Sequence, residues 1–382
     1  MKSPLTFEAF HLQNRMPVLD GVRAFAVLGV VLHHVSVAPF VRLHGFRGVW
    51  VFFVLSGFLI TTLALREEKR AGSLNIRAFA IRRIFRIMPL FYIALAVYLV
   101  WACVLQMEDN ADLLKRYLYS YVLYFPEFPI FRYRFILPFS QAWSLGIEEK
   151  FYLVWPVLAF WALAHSRYRI PIAVGLLATT FALTARSGYL AQMWGSYTDI
   201  LIGCLLGLLV HDRRSYNCLR MLGRSETVVF ILALLAAATL SPLTGTQCGE
   251  RFFSLLAAAA MIGLATNSGV PARVAASRWL VSLGAWSYAI YLIHPIAIDS
   301  LSKILPEGRL HHLLLLPLTL GVVLPFAWLL HVHVEKPCIE LGRRATARIP
   351  KPVKVSTAET HVPESTEEIW RARRDSNPRP AE

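Results

Sequence analysis

Three ionisable side chains, those of Asp20, Arg23 and His34, occur within one apolar stretch, residues 18–40. The stretch is long enough to cross a bilayer, where ionisable groups are costly, so each is a candidate for function. At about 100° per residue the three share one helical stripe, with His34 about 16 Å along the axis from Arg23. His33 lies about 80° from Arg23 and is the weaker candidate. The alternative is structural: Asp20 and Arg23 form an ion pair and His34 anchors the far end.

A carboxylic acid that could act with His34 lies in another apolar segment, QAWSLGIEEKFYLVWP at residues 141–156. Glu148 lies about one turn into the predicted helix. A carboxylate beside an imidazole orients the ring and raises its basicity, which suits a general base. Glu149, next to Lys150, is instead typical of an interfacial ion pair.

Two arginines stand three residues apart in FAIRRIFRIMPLFY, residues 79–92. Arg83 and Arg86 therefore share one helical face just before Pro89 and an apolar run. Two guanidinium groups so placed can bind a phosphate with bidentate hydrogen bonds or polarise an oxygen. The alternative is that these arginines only fix the orientation of the chain in the membrane.

A second histidine lies in the middle of a predicted span. The segment LGAWSYAIYLIHP, residues 283–295, contains His294, with Tyr288 and Tyr291 within one or two turns. An imidazole at this depth indicates a contact with substrate. The alternative is a packing residue whose hydrogen bonds are satisfied inside the bundle.

Ser56 and Gly57 interrupt the bulky apolar run GVWVFFVLSGFLITTLAL, residues 48–65. Small residues in a membrane helix usually permit close approach of a neighbouring helix. The functional alternative is a gap that admits a narrow ligand. At the end of the last span, HVHVEKP contains Glu335 and a helix-stopping Pro337, for which we expect a structural role.

The composition excludes an ordinary soluble domain. Of the 382 residues 56% are hydrophobic and 16% charged, and the mean hydropathy is +0.50, whereas about a quarter of the residues in soluble domains are charged. The sequence predicts an all-α integral membrane protein, a bundle of about ten transmembrane helices. The predicted spans are residues 18–40, 46–65, 87–105, 143–164, 170–186, 190–210, 227–241, 252–268, 283–305 and 312–333.

The formal net charge of +15 resides largely in loops beside these spans. The strongly basic segment 66–86 is cytoplasmic by the positive-inside rule, which places both termini inside. The topology brings the candidate acid and histidine to the outer side, and it accounts for the charge without a nucleic-acid partner. Residues 106–141 are then an external connection with an amphipathic, Tyr-rich surface helix. We predict a cytoplasmic segment 1–17, a transmembrane domain 18–340 and a cytoplasmic, disordered tail 341–382.

Cysteine usage favours neither a disulfide framework nor a zinc site. The five cysteines are odd in number and have no C-x-x-C spacing. They are Cys103, Cys204, Cys218, Cys248 and Cys338. The first apolar run lacks a small-residue cleavage site, so we expect the first span itself to act as the insertion signal.

The succession of these segments resembles the membrane-bound acyltransferase family 3. The shared pieces are LDGVRAFAVLGVVLHH, GVWVFFVLSGFLIT, RRIFRIMPLFY, WSLGIEEKFYLVWP, LGAWSYAIYLIHP and VEKP, in that order, over residues 15–340. Members of this family O-acylate cell-surface sugars, peptidoglycan, lipo-oligosaccharides and small secreted molecules. The resemblance implies that His34 is the essential histidine, that Arg83 and Arg86 are the R-x-x-R pair that binds the acyl donor, and that Glu148 is the acid of the W-S-L-x-x-E motif.

The same resemblance implies a set of supporting residues. Asp20 and Arg23 match the first-span D-G-x-R, and Ser144 belongs to the W-S-L-x-x-E motif. Tyr288 and His294 join the supporting set because of their position in the middle of the predicted span, as described above.

Two positions depart from the family pattern. Trp50 stands where the family commonly has an acid, and Gly146 where it has a second serine. We expect the change at Trp50 to alter contacts with the acceptor and to leave the donor chemistry unchanged.

The function implied by the resemblance is transfer of an acyl group, acetyl or short-chain, from cytosolic acyl-coenzyme A. The acceptor would be a hydroxyl of a glycan, a lipid-linked sugar or a small hydroxylated molecule. Acyl-coenzyme A is then a co-substrate, and no bound cofactor or metal is expected. Neutral His34 would remove the acceptor proton or carry the acyl group itself. The expected location is the lipid bilayer of the plasma membrane, the inner membrane of a bacterium.

The alternative functions are a proton-coupled transporter and a glycan-lipid flippase. In a transporter, Asp20, Arg23, His34 and His294 would relay protons. That function predicts inverted repeats with interrupted spans, and the sequence contains no clear pair of them.

Overall fold

The structure, a computed structural model, describes residues 3–13, 15–35, 43–104, 110–133, 137–164, 166–184, 189–241, 246–347 and 349. Within these ranges the regular secondary structure is entirely helical. The predicted tail 341–382 lies almost wholly outside them, as does the end of the first predicted span. The prediction of an all-α membrane protein is confirmed for the described residues.

Eight helices form the first part of the chain. They are α1 (Phe7–Leu12), α2 (Pro17–His34), α3 (Gly48–Ala71), α4 (Ile76–Leu99), α5 (Ala111–Arg116), α6 (Leu118–Val122), α7 (Glu127–Tyr133) and α8 (Ala142–Val157). Local chemistry sets several of their ends. The Asn75 side chain accepts a hydrogen bond from the backbone N–H of Ala78 at the start of α4. Gly72, with φ of 87°, ends α3 in the left-handed conformation that glycine adopts readily.

Nine further helices follow. They are α9 (Arg169–Thr184), α10 (Tyr189–His211), α11 (Arg213–Leu219), α12 (Ser225–Leu240), α13 (Gln247–Thr266), α14 (Val270–Ala275), α15 (Arg278–Ile304), α16 (Arg309–Leu330) and α17 (Lys336–Ala347). Short π-helical turns continue three of the seventeen helices. They are Val100–Val104 after α4, Leu158–Ala162 after α8 and His331–Glu335 between α16 and α17.

Seven helical segments of the described chain are long and apolar enough to cross a membrane, which makes this a multi-pass membrane protein. All ten predicted spans coincide with helices, but three of these helices do not have the length or the apolar composition of a membrane span. Helices α9 and α12 have 16 residues each, about 24 Å of axis against the roughly 30 Å of a hydrocarbon core. Helix α8 carries Glu148, Glu149 and Lys150. The predicted count of ten, and the cytoplasmic location of both termini, stay predictions.

The predicted external connection, residues 106–141, does not form one surface helix in its described part. Residues 110–133 form three short helices, α5 to α7, and their aromatic residues are divided between the core and the surface. Tyr121 is fully buried and its ring stacks on Phe139 at 5.7 Å, whereas Tyr119 is exposed. The expectation of a single amphipathic helix is wrong because several tyrosine rings are buried against the bundle, as the Tyr124 ring is against Phe91 of α4 at 4.4 Å.

Close backbone contact joins α3 to α10. A Cβ atom on Gly57 would overlap the carbonyl oxygen of Ile200, and one on Gly203 would overlap that of Val54. Gly57 therefore serves the packing role that we considered for the Ser56–Gly57 pair. The result is a tight crossing of small residues, the usual way in which membrane helices approach each other.

A second close crossing joins α2 to α15. A Cβ atom on Gly284 would overlap the carbonyl oxygen of Asp20. The contact holds the ionisable stripe of α2 against the face of α15 that carries Tyr288, Tyr291 and His294. Two predicted functional segments, more than two hundred residues apart in sequence, are therefore neighbours.

Two buried ion pairs also connect helices. Arg251 of α13 pairs with Asp199 of α10, and Arg169 of α9 makes bidentate hydrogen bonds to Glu68 of α3. All four side chains are at least nine-tenths buried. Removing one partner of such a pair is far more costly than the pair is stabilising, because the remaining charge is left without a counterion.

The close contact between α3 and α10 predicts that a methyl group added at Gly57 destabilises the protein. Gly57→Ala should lower the free energy of unfolding by about 1–3 kcal/mol, since the added methyl must displace backbone atoms. The measurement is the thermal unfolding midpoint of the purified protein in detergent. Gly175→Ala is the matched control: apart from its own stretch of helix, no atom lies within 4 Å of its Cβ position, so we expect no loss and a gain of up to about 1 kcal/mol. Equal midpoints for the two variants would contradict the packing role.

Candidate active site

Two cavities meet inside the bundle, near the end formed by the connection between α3 and α4. The larger has a volume of about 1,320 Å³ and the smaller about 110 Å³. Five residues line both of them, Arg23, Arg83, Arg86, Ser287 and Tyr288. We call this shared set the junction. A wide chamber therefore narrows at three guanidinium groups into a small inner chamber.

The large cavity is bordered by parts of α2, α3, α4, α15 and α17. The described residues that line it include nine arginine or lysine side chains and three carboxylates. Each carboxylate is already paired: Asp20 with Arg15 and Arg23, Glu67 with Arg82, and Glu335 with His331. The chamber therefore carries a positive charge that its own acids do not neutralise, and it favours an anionic ligand.

Helix α8 provides one wall of the small cavity. Ser144, Glu148 and Tyr152 follow each other at intervals of four residues, so one face of the helix points all three into the chamber. Ser56 of α3 and Tyr291 of α15 line the opposite sides. Five helices, α2, α3, α4, α8 and α15, thus supply polar groups to a space of about 110 Å³, enough for a few non-hydrogen atoms.

Glu148 is held by two hydroxyl groups. Its Oε2 accepts hydrogen bonds from Ser56 Oγ at 3.1 Å and from Tyr152 OH at 2.8 Å. Arg83 lies next to this group, with its guanidinium carbon 5.1 Å from the centre of the Tyr152 ring and 5.4 Å from that of Phe79. The carboxylate and the guanidinium are therefore fixed on adjacent walls of one small chamber.

The ion pair that we considered at the start of α2 is present. Arg23 Nη1 donates to Asp20 Oδ1 at 3.0 Å, and Arg15 binds the other carboxylate oxygen at 3.1 Å. Arg23 nevertheless also lines both cavities. The pair thus positions the Arg23 guanidinium at the junction, so the structural and the functional interpretation of these residues are compatible.

The hydrogen bond of His34 assigns its tautomer. Nδ1 lies 2.9 Å from the carbonyl oxygen of Val30. Because a carbonyl only accepts, Nδ1 carries the proton, and the lone pair of neutral His34 is on Nε2. The same argument applies to His294, whose Nδ1 lies 2.9 Å from the carbonyl oxygen of Tyr291. The two imidazole rings are 4.9 Å apart and meet edge to face.

His34 and Glu148, which we expected to form a pair, have different neighbours. Glu148 lines the small cavity, whereas His34 and His294 are not among the described residues that line either chamber. Tyr291 connects the two regions: its hydroxyl lies 2.8 Å from Ser144 Oγ and its ring centre 5.9 Å from that of His294. Tyr291 and His294 therefore form a layer between the inner chamber and His34.

The remaining predicted residues have structural contacts as well. Tyr288 donates to the carbonyl oxygen of Ile87 on α4 at 2.8 Å and lines both cavities. Ser144 contacts Tyr291. Sequence reasoning missed Tyr152 and the contact of the Ser56 hydroxyl. The four-residue spacing from Ser144 to Tyr152 is a signal that could have revealed the former.

The structure gives a physical reason for one departure from the family pattern. A Cβ atom on Gly146 would overlap Glu127 Oε2 and crowd the Pro126 ring. The buried carboxylate of Glu127 on α7 forms an ion pair with the partly exposed Lys150 at 2.7 Å. The absence of a side chain at Gly146 therefore makes room for α7 to dock on α8.

The other departure belongs to a stack of aromatic and cationic side chains. The guanidinium carbons of Arg47 and Arg251 lie 5.9 and 5.8 Å from the Trp50 ring, within the range of cation–π attraction. Phe253 contacts Trp50 edge to face at 5.7 Å. Trp50 therefore joins α3 to α13.

Comparison with known proteins identifies related chains among bacterial enzymes. A protein of Staphylococcus aureus strain MSSA476, provisionally named an O-acetyltransferase, is 27% identical over 373 residues, which covers 89% of this chain and 60% of the relative. The peptidoglycan O-acetyltransferase of Listeria monocytogenes is 28% identical over 310 residues, covering 73% of this chain and 49% of the relative. A protein of Bacillus subtilis, provisionally named a peptidoglycan O-acetyltransferase, is 28% identical over 362 residues, which covers 87% of this chain and 56% of the relative.

This chain thus spans about half to three fifths of the length of these relatives. No solved structure matches the chain at a significant level. The model of the acyltransferase domain family matches residues 16–332, which include every helix that lines the small cavity. The chain therefore belongs to the membrane-bound acyltransferase family 3, as its motifs predicted.

Proposed function

We propose that the protein transfers an acyl group, acetyl or short-chain, from acyl-coenzyme A to a hydroxyl of a carbohydrate or related acceptor. The observation that carries this proposal is the cationic chamber that narrows at Arg23, Arg83 and Arg86 into a small chamber containing Glu148. A donor with a polyanionic end and a slender reactive arm has the shape and charge that such a cavity accommodates.

The donor enters from the wide chamber, which the proposal places on the cytoplasmic side. The phosphates remain among the basic side chains, with Arg86 at the junction as one of their ligands. The pantetheine arm passes the junction and brings the thioester beside Arg83 and Glu148. A guanidinium at this point stabilises the negative charge that develops on the carbonyl oxygen, which is a large effect in a dry site.

His34 is the proposed base or acyl carrier. Its Nε2 lone pair can accept the proton of an acceptor hydroxyl, or attack the thioester carbon with release of the coenzyme A thiolate. Because Tyr291 and His294 lie between His34 and the inner chamber, the proposal includes a movement of one of these side chains during turnover. The acceptor approaches His34 from the opposite, extracytoplasmic end of the bundle.

In the proposed mechanism Glu148 remains the carboxylate of the site, and it positions the donor. Its hydrogen bonds from Ser56 and Tyr152 fix the carboxylate in the inner chamber, where it orients the arm of the donor through these hydroxyl groups. A direct contact between Glu148 and His34 requires the same side-chain movement that the transfer step requires.

The acceptor that the relatives favour is a surface glycan. The Listeria relative is named for peptidoglycan, and the proposed acceptor class here includes peptidoglycan, lipid-linked sugars and small hydroxylated molecules. The proposed location is the plasma membrane, the inner membrane in a bacterium with two. An acyl donor in the cytosol and a glycan outside can react only across this membrane.

Replacement of the candidate base tests the proposal directly. With purified protein in lipid nanodiscs and acetyl-coenzyme A, His34→Ala should lower thioester consumption by about 100-fold or more, the contribution typical of a general base. Thiol release is the measured quantity. His33→Ala, which removes the adjacent imidazole, is the control and should keep most of the activity. A wild-type protein that consumes no thioester would support a transporter instead, and a fully active His34→Ala variant would exclude the proposed role of His34.

A second prediction concerns the carboxylate in the inner chamber. Tyr152→Phe removes one hydroxyl that binds Glu148 and keeps the ring beside Arg83, so we expect kcat to fall about tenfold to hundredfold with little change in thermal stability. The estimate follows from the roughly 1.5–3 kcal/mol of a hydrogen bond to a charged group. Tyr168→Phe, an exposed position, is the matched control. An unchanged kcat for Tyr152→Phe would show that this hydrogen bond does not contribute to the reaction.

A further inference from the structure

Two polar side chains on one face of α3 lack partners in the wall of the large cavity. The Nε and Nη2 atoms of Arg66 are shielded from solvent and have no hydrogen-bond partner among the described residues. The same holds for Oγ1 of Thr62, a residue that is 2% exposed. The two are one helical turn apart, and both line the large cavity.

A guanidinium with two of its three nitrogen atoms shielded from water and without hydrogen-bond partners is unfavourable, so this arrangement calls for an anion. The cavity itself does not supply one. Its three carboxylates are bound to other groups, as described above for Asp20, Glu67 and Glu335. A ligand with oxygen acceptors would satisfy the Arg66 donors and accept a hydrogen bond from the Thr62 hydroxyl.

Helix α17 adds positive charge to the same chamber through Lys336, whereas Arg343 is paired with Glu340. Lys336, Ile339 and Arg343 line the cavity, at positions that share one helical face. The helix is held on α4, where Gly342 leaves room for the Phe85 ring. Leu59 and Leu63 of α3 line the cavity as well, so cationic and apolar groups alternate around it.

This group lies apart from the junction. Arg83 and Arg86 line both cavities, whereas Thr62, Arg66 and Lys336 line only the large one. The large chamber therefore has two cationic regions, one beside the inner chamber and one further out. Coenzyme A has two anionic groups in the corresponding order, a diphosphate next to the pantetheine arm and a phosphomonoester on the 3′-hydroxyl of its ribose.

We propose that Thr62 and Arg66, in the cavity that α17 also lines, form a binding site for the 3′-phosphate of the donor and so select coenzyme A thioesters over those of 3′-dephospho-coenzyme A. This inference rests on the proposed function and adds a specificity determinant to it. A phosphomonoester carries a charge of about −1.5 to −2 at neutral pH and three acceptor oxygens, which matches a site with unpaired donors. An anionic lipid headgroup has related chemistry and is the competing occupant.

The test compares two donors on the full-length protein in nanodiscs. The wild type should use acetyl-coenzyme A with a kcat/KM at least tenfold above that for acetyl-3′-dephospho-coenzyme A, with the difference in KM. Arg66→Gln should reduce the preference to about one- to threefold by raising the KM for acetyl-coenzyme A alone. Thr62→Val, which preserves the volume of the side chain, should reduce the preference partly. It tests the same site if the Arg66→Gln variant does not fold. Arg77→Gln, a nearby exposed arginine outside the cavity lining, is the matched control and should keep the full preference.

The outcomes separate this inference from the proposed function. Equal use of both donors by the wild type would overturn the 3′-phosphate site and leave the acyltransferase proposal intact. Consumption of neither donor would overturn both. If nanodiscs of phosphatidylcholine in place of phosphatidylglycerol remove the effect of Arg66→Gln on donor KM, the site binds a lipid headgroup and the inference is wrong.

Discussion

An ionisable side chain inside an apolar bundle needs a partner, and this constraint governs the placement of charge throughout the structure. Asp199 with Arg251 and Glu68 with Arg169 satisfy it within the protein, by pairs that join helices. The basic residues of the large cavity satisfy it only in part. In the large cavity, the unpartnered atoms of Arg66 and Thr62 therefore mark a place where a ligand is expected.

Small residues make that space possible. The close crossings at Gly57 and Gly284 bring α3 against α10 and α2 against α15 without intervening side chains. Tight packing on these sides leaves the polar faces of α2, α3, α8 and α15 turned toward each other, separated by a chamber rather than by apolar side chains. The neighbouring residues Ser56 and Gly57 thus have different roles. Gly57 packs against α10, and the Ser56 hydroxyl donates a hydrogen bond to Glu148.

Much of this could be predicted from the sequence, because it depends on local periodicity. Arg83 and Arg86 were expected on one face of a helix, and Asp20 and Arg23 were expected to pair at the spacing of one turn. Partnerships between distant helices could not be predicted in this way. The hydroxyl groups around Glu148 come from α3 and α8, and the layer formed by Tyr291 and His294 depends on how α15 packs, which no periodicity in a single segment specifies. The helices of residues 110–133 were mistaken for one surface helix because ring burial depends on the neighbours present.

The contact of Gly284 with the backbone of Asp20 has a mechanical implication. Helices that touch without side chains between them cannot slide far past each other, so α2 and α15 behave as a single rigid body. The backbones of α2 and α15 then keep their spacing, so the route to His34 opens by rotation of the Tyr291 or His294 side chain. A helix displacement that widens the inner chamber comes from the opposite half, where α3 and α8 meet the chamber through hydroxyl groups that can exchange partners.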